Sequence, residues 1–277
     1  MKVSEKELSE YIGKLREEEK SRATIQKYTH DIRLLLEWLD QKELTKQELL
    51  SYKEDMVAHY SVASVNSMLV AVNGFLDFLG VPKMKLKALK VQKSVFADER
   101  KQLDYGEYCR LLRAARKEDL RTYLVIQTIC ATGIRISELK FVTVESLKKG
   151  KAEITNKGKQ RTVFLPGKLR KLLLQYAGKK RVKKGAVFIT KSGKTLDRSN
   201  IWRAMKALCE KAGVNREKVF PHNLRHLFAR KYYEKYHDLS RLADILGHSS
   251  VNTTRIYTME SGLVHARQLE ELGLLIV

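Results

Sequence analysis

Apolar residues in the first 80 positions recur every three to four residues, and each recurrence sits between helix start and stop signals. That pattern restricts the segment to a bundle of short helices. Ile25, Tyr28, Ile32, Leu35, Leu36 and Leu39 share one face of a helix with 3.6 residues per turn. Ser4 with Glu7, and Thr45 with Glu48, have the spacing of capping boxes, in which a hydroxyl and a carboxylate satisfy amides that a helix start leaves unpaired. VASVNSMLVAVNGFLDFLG carries another stripe and stops at Gly80 and Pro82. Four helices over 1–81 are expected.

Residues 82–100, PKMKLKALKVQKSVFADER, are Lys-rich and lack a core stripe. They read as a basic interdomain linker, either a solvated loop or a strap along a phosphate backbone. Beyond residue 101, DYGEYCRLLRAARK, DLRTYLVIQTICATG, GKLRKLLLQYAGKK, SNIWRAMKALCEKAG, HNLRHLFARKYYEKY and DLSRLADILGH read as helices, as does the tail ESGLVHARQLEELGLL. AEITNKGKQRTVFLP reads as a hairpin, with β-rich runs flanking a Lys/Gly turn, and GAVFIT as a short strand. The expected class is mainly α: a helical bundle over 1–81, then a mostly α domain over 101–277 with a small antiparallel sheet.

Charge narrows the partner. Among 277 residues, 54 Lys and Arg against 32 Asp and Glu leave +22, and residues 1–90, with 15 basic and 14 acidic, hold almost none of it. A field of that sign over 91–277 favours a polyanion, and nucleic acid leads; the plainer reading is a generally basic surface. A membrane partner is disfavoured, since no apolar run is long enough to span and no basic amphipathic helix stands out. Cys109, Cys130 and Cys209 have no metal-ligand spacing and fit reduced cytoplasmic thiols. MKVSEKELSE is charged and does not read as a signal peptide.

Three stretches carry candidate chemistry. ATGIRISEL puts Arg135 just after Gly133, HNLRH puts His222 and Arg225 three apart on one helix face, and LGHSSVNTTRIYT (246–258) supplies His248 and Tyr257. The hairpin adds Lys157 and Lys159. Two guanidiniums clamp the non-bridging oxygens of a phosphodiester and stabilise a pentacoordinate phosphorane. Histidines manage protons near neutrality, and cations lower the cost of a tyrosine phenolate as nucleophile. Each residue alone has a plainer reading: surface arginine, packed histidine, core tyrosine.

The ordered combination resembles the tyrosine recombinases, the phage integrase family, with Xer-type members nearest in pattern. The resemblance runs over about 101–260 and implies roles residue by residue. Arg135 and Arg225 bind the scissile phosphate, and His222 and His248 complete the pocket. Tyr257 is the nucleophile that forms a 3′-phosphotyrosyl link. Lys157, preferred to Lys159, protonates the leaving 5′-oxygen. Glu138 is expected to brace Arg135, His226 to be structural, and Leu227, where family members often carry Thr, to be a packing difference. The family implies a C-shaped clamp on double-stranded DNA and site-specific strand exchange with no metal or other cofactor. The partner would be a tetramer of this chain on two sites, each protomer donating its C-terminal helix to a neighbour; the alternative is a tail packed on its own domain. Accessory proteins or a sister recombinase fit the same scheme, as does a cytoplasmic, nucleoid-associated location. No arm-binding domain is evident ahead of the bundle, which leans toward simple sites. The rival readings are a topoisomerase-like relaxing enzyme and a non-catalytic DNA-binding regulator.

Overall fold

The computed structural model describes residues 1–90, 99–156, 159–190, 192–248, 250–255 and 269–272. It divides into two compact units, Met1–Lys93 and Ser94–Val277.

The first unit holds α1 (Glu5–Glu17), α2 (Arg22–Leu39), α3 (Lys46–His59) and α4 (Val62–Phe78). Ser4 and Glu7 close the anticipated capping box at α1, and the Thr45 hydroxyl caps α3. Leu8, Tyr11, Ile32, Leu35, Leu49, Val72 and Phe75 meet in one core, which supplies most of the bundle's stability because isolated helices of this length are marginal in water. Asp31 is buried on α2 and pairs with Lys27 one turn earlier.

After α4 the chain turns through Pro82–Met84 and runs back along the bundle. Two asparagines of α4 hold it. Asn73 accepts from the Leu86 amide (2.8 Å) and donates to its carbonyl (2.9 Å), and Asn66 does the same at Leu89 (2.8 and 3.0 Å). Two helical turns and three extended residues each span about 10 Å, so both carboxamides reach a backbone amide and carbonyl in register. Leu86 completes the core, and Lys46 and Lys53 donate to the carbonyls of residues 84, 85 and 87. The sequence reading missed these anchors, because Asn66 and Asn73 lie on a mostly apolar helix.

The second unit begins with α5 (Tyr105–Glu118), opened by an Asp104–Glu107 capping box, and α6 (Leu120–Thr132). A 3₁₀ turn follows at Ile136–Phe141, then α7 (Val144–Lys149). β1 (Lys151–Asn156) and β2 (Lys159–Phe164) pair antiparallel as the hairpin pattern anticipates, with Asn156 opposite Lys159. Next are α8 (Gly167–Lys179), α9 (Arg198–Ala207), α10 (Cys209–Ala212), α11 (Pro221–Tyr236), α12 (Leu239–Leu246) and α13 (Val251–Arg255).

Two expectations are corrected. GAVFIT forms no strand; Ala186 and Ile189 make only isolated bridges to Thr143 and Thr195. Val187 and Phe188 are buried, so the apolar run reports core packing rather than sheet pairing. SNIWRAMKALCEKAG, read as one helix, breaks at Leu208 into α9 and α10.

Core residues from α5, α6, α8 and α11 pack around Leu111, Ile126, Ile129, Leu173 and Leu224. Asn223, buried on α11, donates to the carbonyls of Lys101 and Lys218 (2.7 and 2.8 Å), and Arg230 donates to that of Leu103 (2.5 Å). The helix that carries His222 and Arg225 is thereby tied to the segment leading into α5.

Candidate active site

Glycine makes the first half of the site possible. Gly133 ends α6 at φ +65°, and its amide returns to the Ile129 carbonyl. A Cβ there would lie 2.5 Å from the Phe228 ring, so only glycine admits both the left-handed turn and the close approach of α11. Two residues on, Arg135 leaves the turn. Its amide and guanidinium both donate to Glu138, at 2.7 and 3.0 Å, and Nη2 reaches the Gly247 carbonyl at 3.4 Å. Glu138 is almost wholly buried and braces Arg135 as the sequence suggests.

Arg225 is among the most buried large side chains of the chain, at 2 % exposure. Such a charge needs its donors satisfied. Nη1 donates to the Gly133 carbonyl (2.5 Å) and Nη2 to the Leu246 carbonyl (2.6 Å), with His248 Nε2 2.9 Å from Nη2. A guanidinium only donates, so Nε2 accepts and the proton of a neutral His248 sits on Nδ1. That Nδ1–H points at the Thr254 hydroxyl, 2.8 Å away. Burial first, then Arg225 and Arg135, pull His248 down to about 4, which keeps the ring neutral at physiological pH. Its backbone is equally fixed: Gly247, at φ +64°, ends α12, and the His248 amide returns to the Ala243 carbonyl.

His222 is exposed on the first turn of α11, and desolvation, Arg225 and Arg135 lower its pKa. His226 packs edge-on against it with ring centroids 4.5 Å apart, and burial pushes His226 to about 3. Arg135, His222 and Arg225 line one cavity of about 720 Å³ beside Arg198, Trp202 and Arg203. A cavity with this many cations on its walls suits an anion. Among the described residues no group of His, Cys, Asp and Glu is arranged to hold a metal ion. Lys157 and Tyr257 lie outside the described residues, and of Lys159 the structure describes the backbone, at the start of β2.

The structure adds Arg161 to the set that sequence reasoning assembled. It lies opposite Ile154 on β2 and is mostly buried; Nη2 donates to Glu138 at 2.6 Å and Nη1 to the Ile245 carbonyl. Desolvation lowers its pKa, opposed by Glu138. Its signal was in the strand alternation: Arg161, Val163 and Leu165 share the inward face, where a charge without a partner is rare.

Residues 101–262 match the model of the phage integrase family, and residues 8–80 that of the phage integrase N-terminal SAM-like domain. The chain belongs to the phage integrase family. Its relatives include a tyrosine recombinase XerA of Pyrococcus furiosus, 30% identical over 95% of this chain and 91% of the other. A tyrosine recombinase XerD of Corynebacterium glutamicum is 29% identical over 85% and 86%. In fold, this integrase-family chain is similar to XerH site-specific recombinase bound to its difH substrate in a pre-cleavage complex. The TM-score is 0.72, with 23% identity, over 96% of this chain and 84% of the other. No described helix is long and apolar enough to cross a membrane.

Proposed function

We propose that the protein is a site-specific DNA recombinase that cuts and rejoins strands through a 3′-phosphotyrosyl intermediate. The observation that carries this reading is the placement of Arg135 and Arg225 on one cavity wall, each held by buried protein acceptors, with His222 beside them. Anchored guanidiniums cost little reorganisation as charge builds on a phosphorane, which is where electrostatic catalysis is strongest. His248, neutral and accepting from Arg225, orients that guanidinium, and His222 completes the pocket.

In this reading Tyr257 Oη loses its proton to solvent and attacks phosphorus, the P–O5′ bond breaks, and Lys157 gives its proton to the departing oxygen. The freed 5′-hydroxyl of a second strand then attacks the phosphotyrosine and releases the tyrosine. The ester's free energy is kept in the covalent link, so the cycle runs without ATP, metal or other cofactor. Residues 1–81 are the core-binding bundle, 82–100 a basic connector whose first part packs on that bundle, and 101–277 the catalytic domain. Four protomers on two duplexes form the working assembly, in the cytoplasm on nucleoid DNA. Leu269 and Leu272 stand 69 % and 60 % exposed, which supports a tail whose leucines pack on a neighbouring copy. A head-to-tail donation of that kind closes into a ring when the rotation permits.

The test is a nicked, labelled set of DNA fragments from either side of the protein's own gene, read as an SDS-resistant protein–DNA adduct. Wild type should form the adduct, and Tyr257→Phe should lose it while DNA affinity stays within about threefold, a change of less than 1 kcal/mol. An adduct that persists in Tyr257→Phe defeats the assignment of the nucleophile. Salt-sensitive binding with no adduct from either protein favours a DNA-binding regulator. Relaxation of supercoiled DNA without strand exchange between two sites favours a topoisomerase-like enzyme.

A further inference from the structure

Arg161 does not line the cavity, yet it joins three parts of the site. Its backbone belongs to the hairpin strand that follows Lys157, paired with Ile154. Its Nη2 shares the buried Glu138 carboxylate with Arg135. Its Nη1 takes the Ile245 carbonyl, one turn before His248, and its side chain lies so close over Gly247 that any Cβ there would collide with it. The collision and the positive φ both demand glycine at 247. A planar fork meets a carboxylate and a carbonyl at once; a lysine ammonium is a single point and does not hold both.

We infer that Arg161 is a positioning residue that locks the β1–β2 hairpin onto Glu138 and the Ile245–His248 turn, and that proton delivery by the hairpin lysine depends on this lock. The inference rests on the recombinase reading, in which that lysine protonates the 5′-oxygen. Two cations of the site, Arg135 and Arg161, share one carboxylate, so the hairpin and the phosphate pocket move as one body. Loss of Arg161 leaves the pocket's guanidiniums in place through Gly133, Leu246 and Glu138, and frees the hairpin.

The experiment compares a 5′-oxygen substrate with its 5′-bridging sulfur analogue, both built on the fragment that gives the adduct. With sulfur, the P–S bond breaks and the thiolate departs without a proton, since a thiol ionises near pH 8.5 and an alcohol does not. Arg161→Ala should cleave the oxygen substrate about 100-fold more slowly than wild type, the scale of a general-acid contribution. On the sulfur substrate it should come within about threefold of wild type. Arg161→Lys should behave as Arg161→Ala does. Equal slowing on both substrates, or wild-type rates from Arg161→Lys, overturns the proposal. Arg161→Met, which fills the space, and DNA affinity measured for every variant separate a positioning defect from misfolding; a variant that binds normally and shows no oxygen-specific defect counts against the inference. Lys157→Ala and Lys159→Ala test the underlying reading by themselves. If sulfur rescues neither, the hairpin-acid reading fails; if it rescues one of them but not Arg161→Ala, only the role of Arg161 fails.

Discussion

At the scale of single residues the site is governed by how a few buried charges are satisfied. Glu138 accepts from the Arg135 amide, the Arg135 guanidinium and Arg161. Arg225 spends its donors on two carbonyls that face it because Gly133 and Gly247 turn the chain at positive φ. The histidines follow from burial first and from those charges second. His226 and His248 sit near 3 and 4, below the ordinary 6.5, with burial the main cause and Arg225 contributing at both. Their folded pKa values are depressed, so the unfolded chain takes up these protons first as pH falls. Their contribution to stability is complete above about 6.5 and is lost as pH falls from there toward 4 for His248 and toward 3 for His226. The thermal midpoint of the DNA-free protein should therefore drop between pH 7 and pH 5, a range mostly above carboxylate titration, and His226→Gln should flatten that drop. A midpoint that holds steady across the range would contradict the half-buried neutral histidines.

At the scale of elements, the connector is the part whose behaviour differs most from its composition. Its lysines suggest a solvated strand, yet hydrogen bonds from the Asn66 and Asn73 carboxamides and the burial of Leu86 make residues 84–89 part of the first unit. Each carboxamide replaces a missing strand neighbour, donating and accepting as a β-partner does. The double substitution Asn66→Ala/Asn73→Ala should raise amide hydrogen exchange at Leu86 and Leu89 well above that in the middle of α4. It should lower stability by about 1–3 kcal/mol, the range for a few lost part-buried hydrogen bonds. Unchanged exchange at those two amides would show that Leu86 packing alone holds the segment. The hairpin shows the reverse case: its alternation predicts the pairing, and Arg161, which interrupts the apolar rhythm between Ile154 and Val163, is tied to the site.

At the scale of the whole molecule, the charge excess is almost confined to residues 91–277. Neutralising phosphates releases condensed counterions, so affinity should fall steeply with salt. With six to ten phosphate contacts it drops about 10³–10⁵-fold between 50 and 200 mM salt. Titration of the intact protein against duplex DNA by fluorescence anisotropy over that range measures the slope. A drop of less than about tenfold would mean that few of these cations meet phosphate.

The helices of the described residues, the hairpin and the order of the site motifs were legible from the sequence because they rest on local signals. Apolar periodicity, capping residues and turn glycines act within a few positions of one another. HNLRH puts His222 and Arg225 on one helix face for the same local reason. The helix periodicity did not reveal the break at Leu208, and an apolar run did not reveal that residues 186–189 make only isolated bridges, because burial by a helix, a strand or a loop leaves the same mark on composition. Only the tertiary structure decided which acceptors each buried guanidinium takes: Arg225 reaches across 92 positions to Gly133, and Arg161 across 84 to Ile245. A buried charge must find partners wherever the fold brings backbone carbonyls and carboxylates near it, and that proximity is a property of packing, not of spacing along the chain.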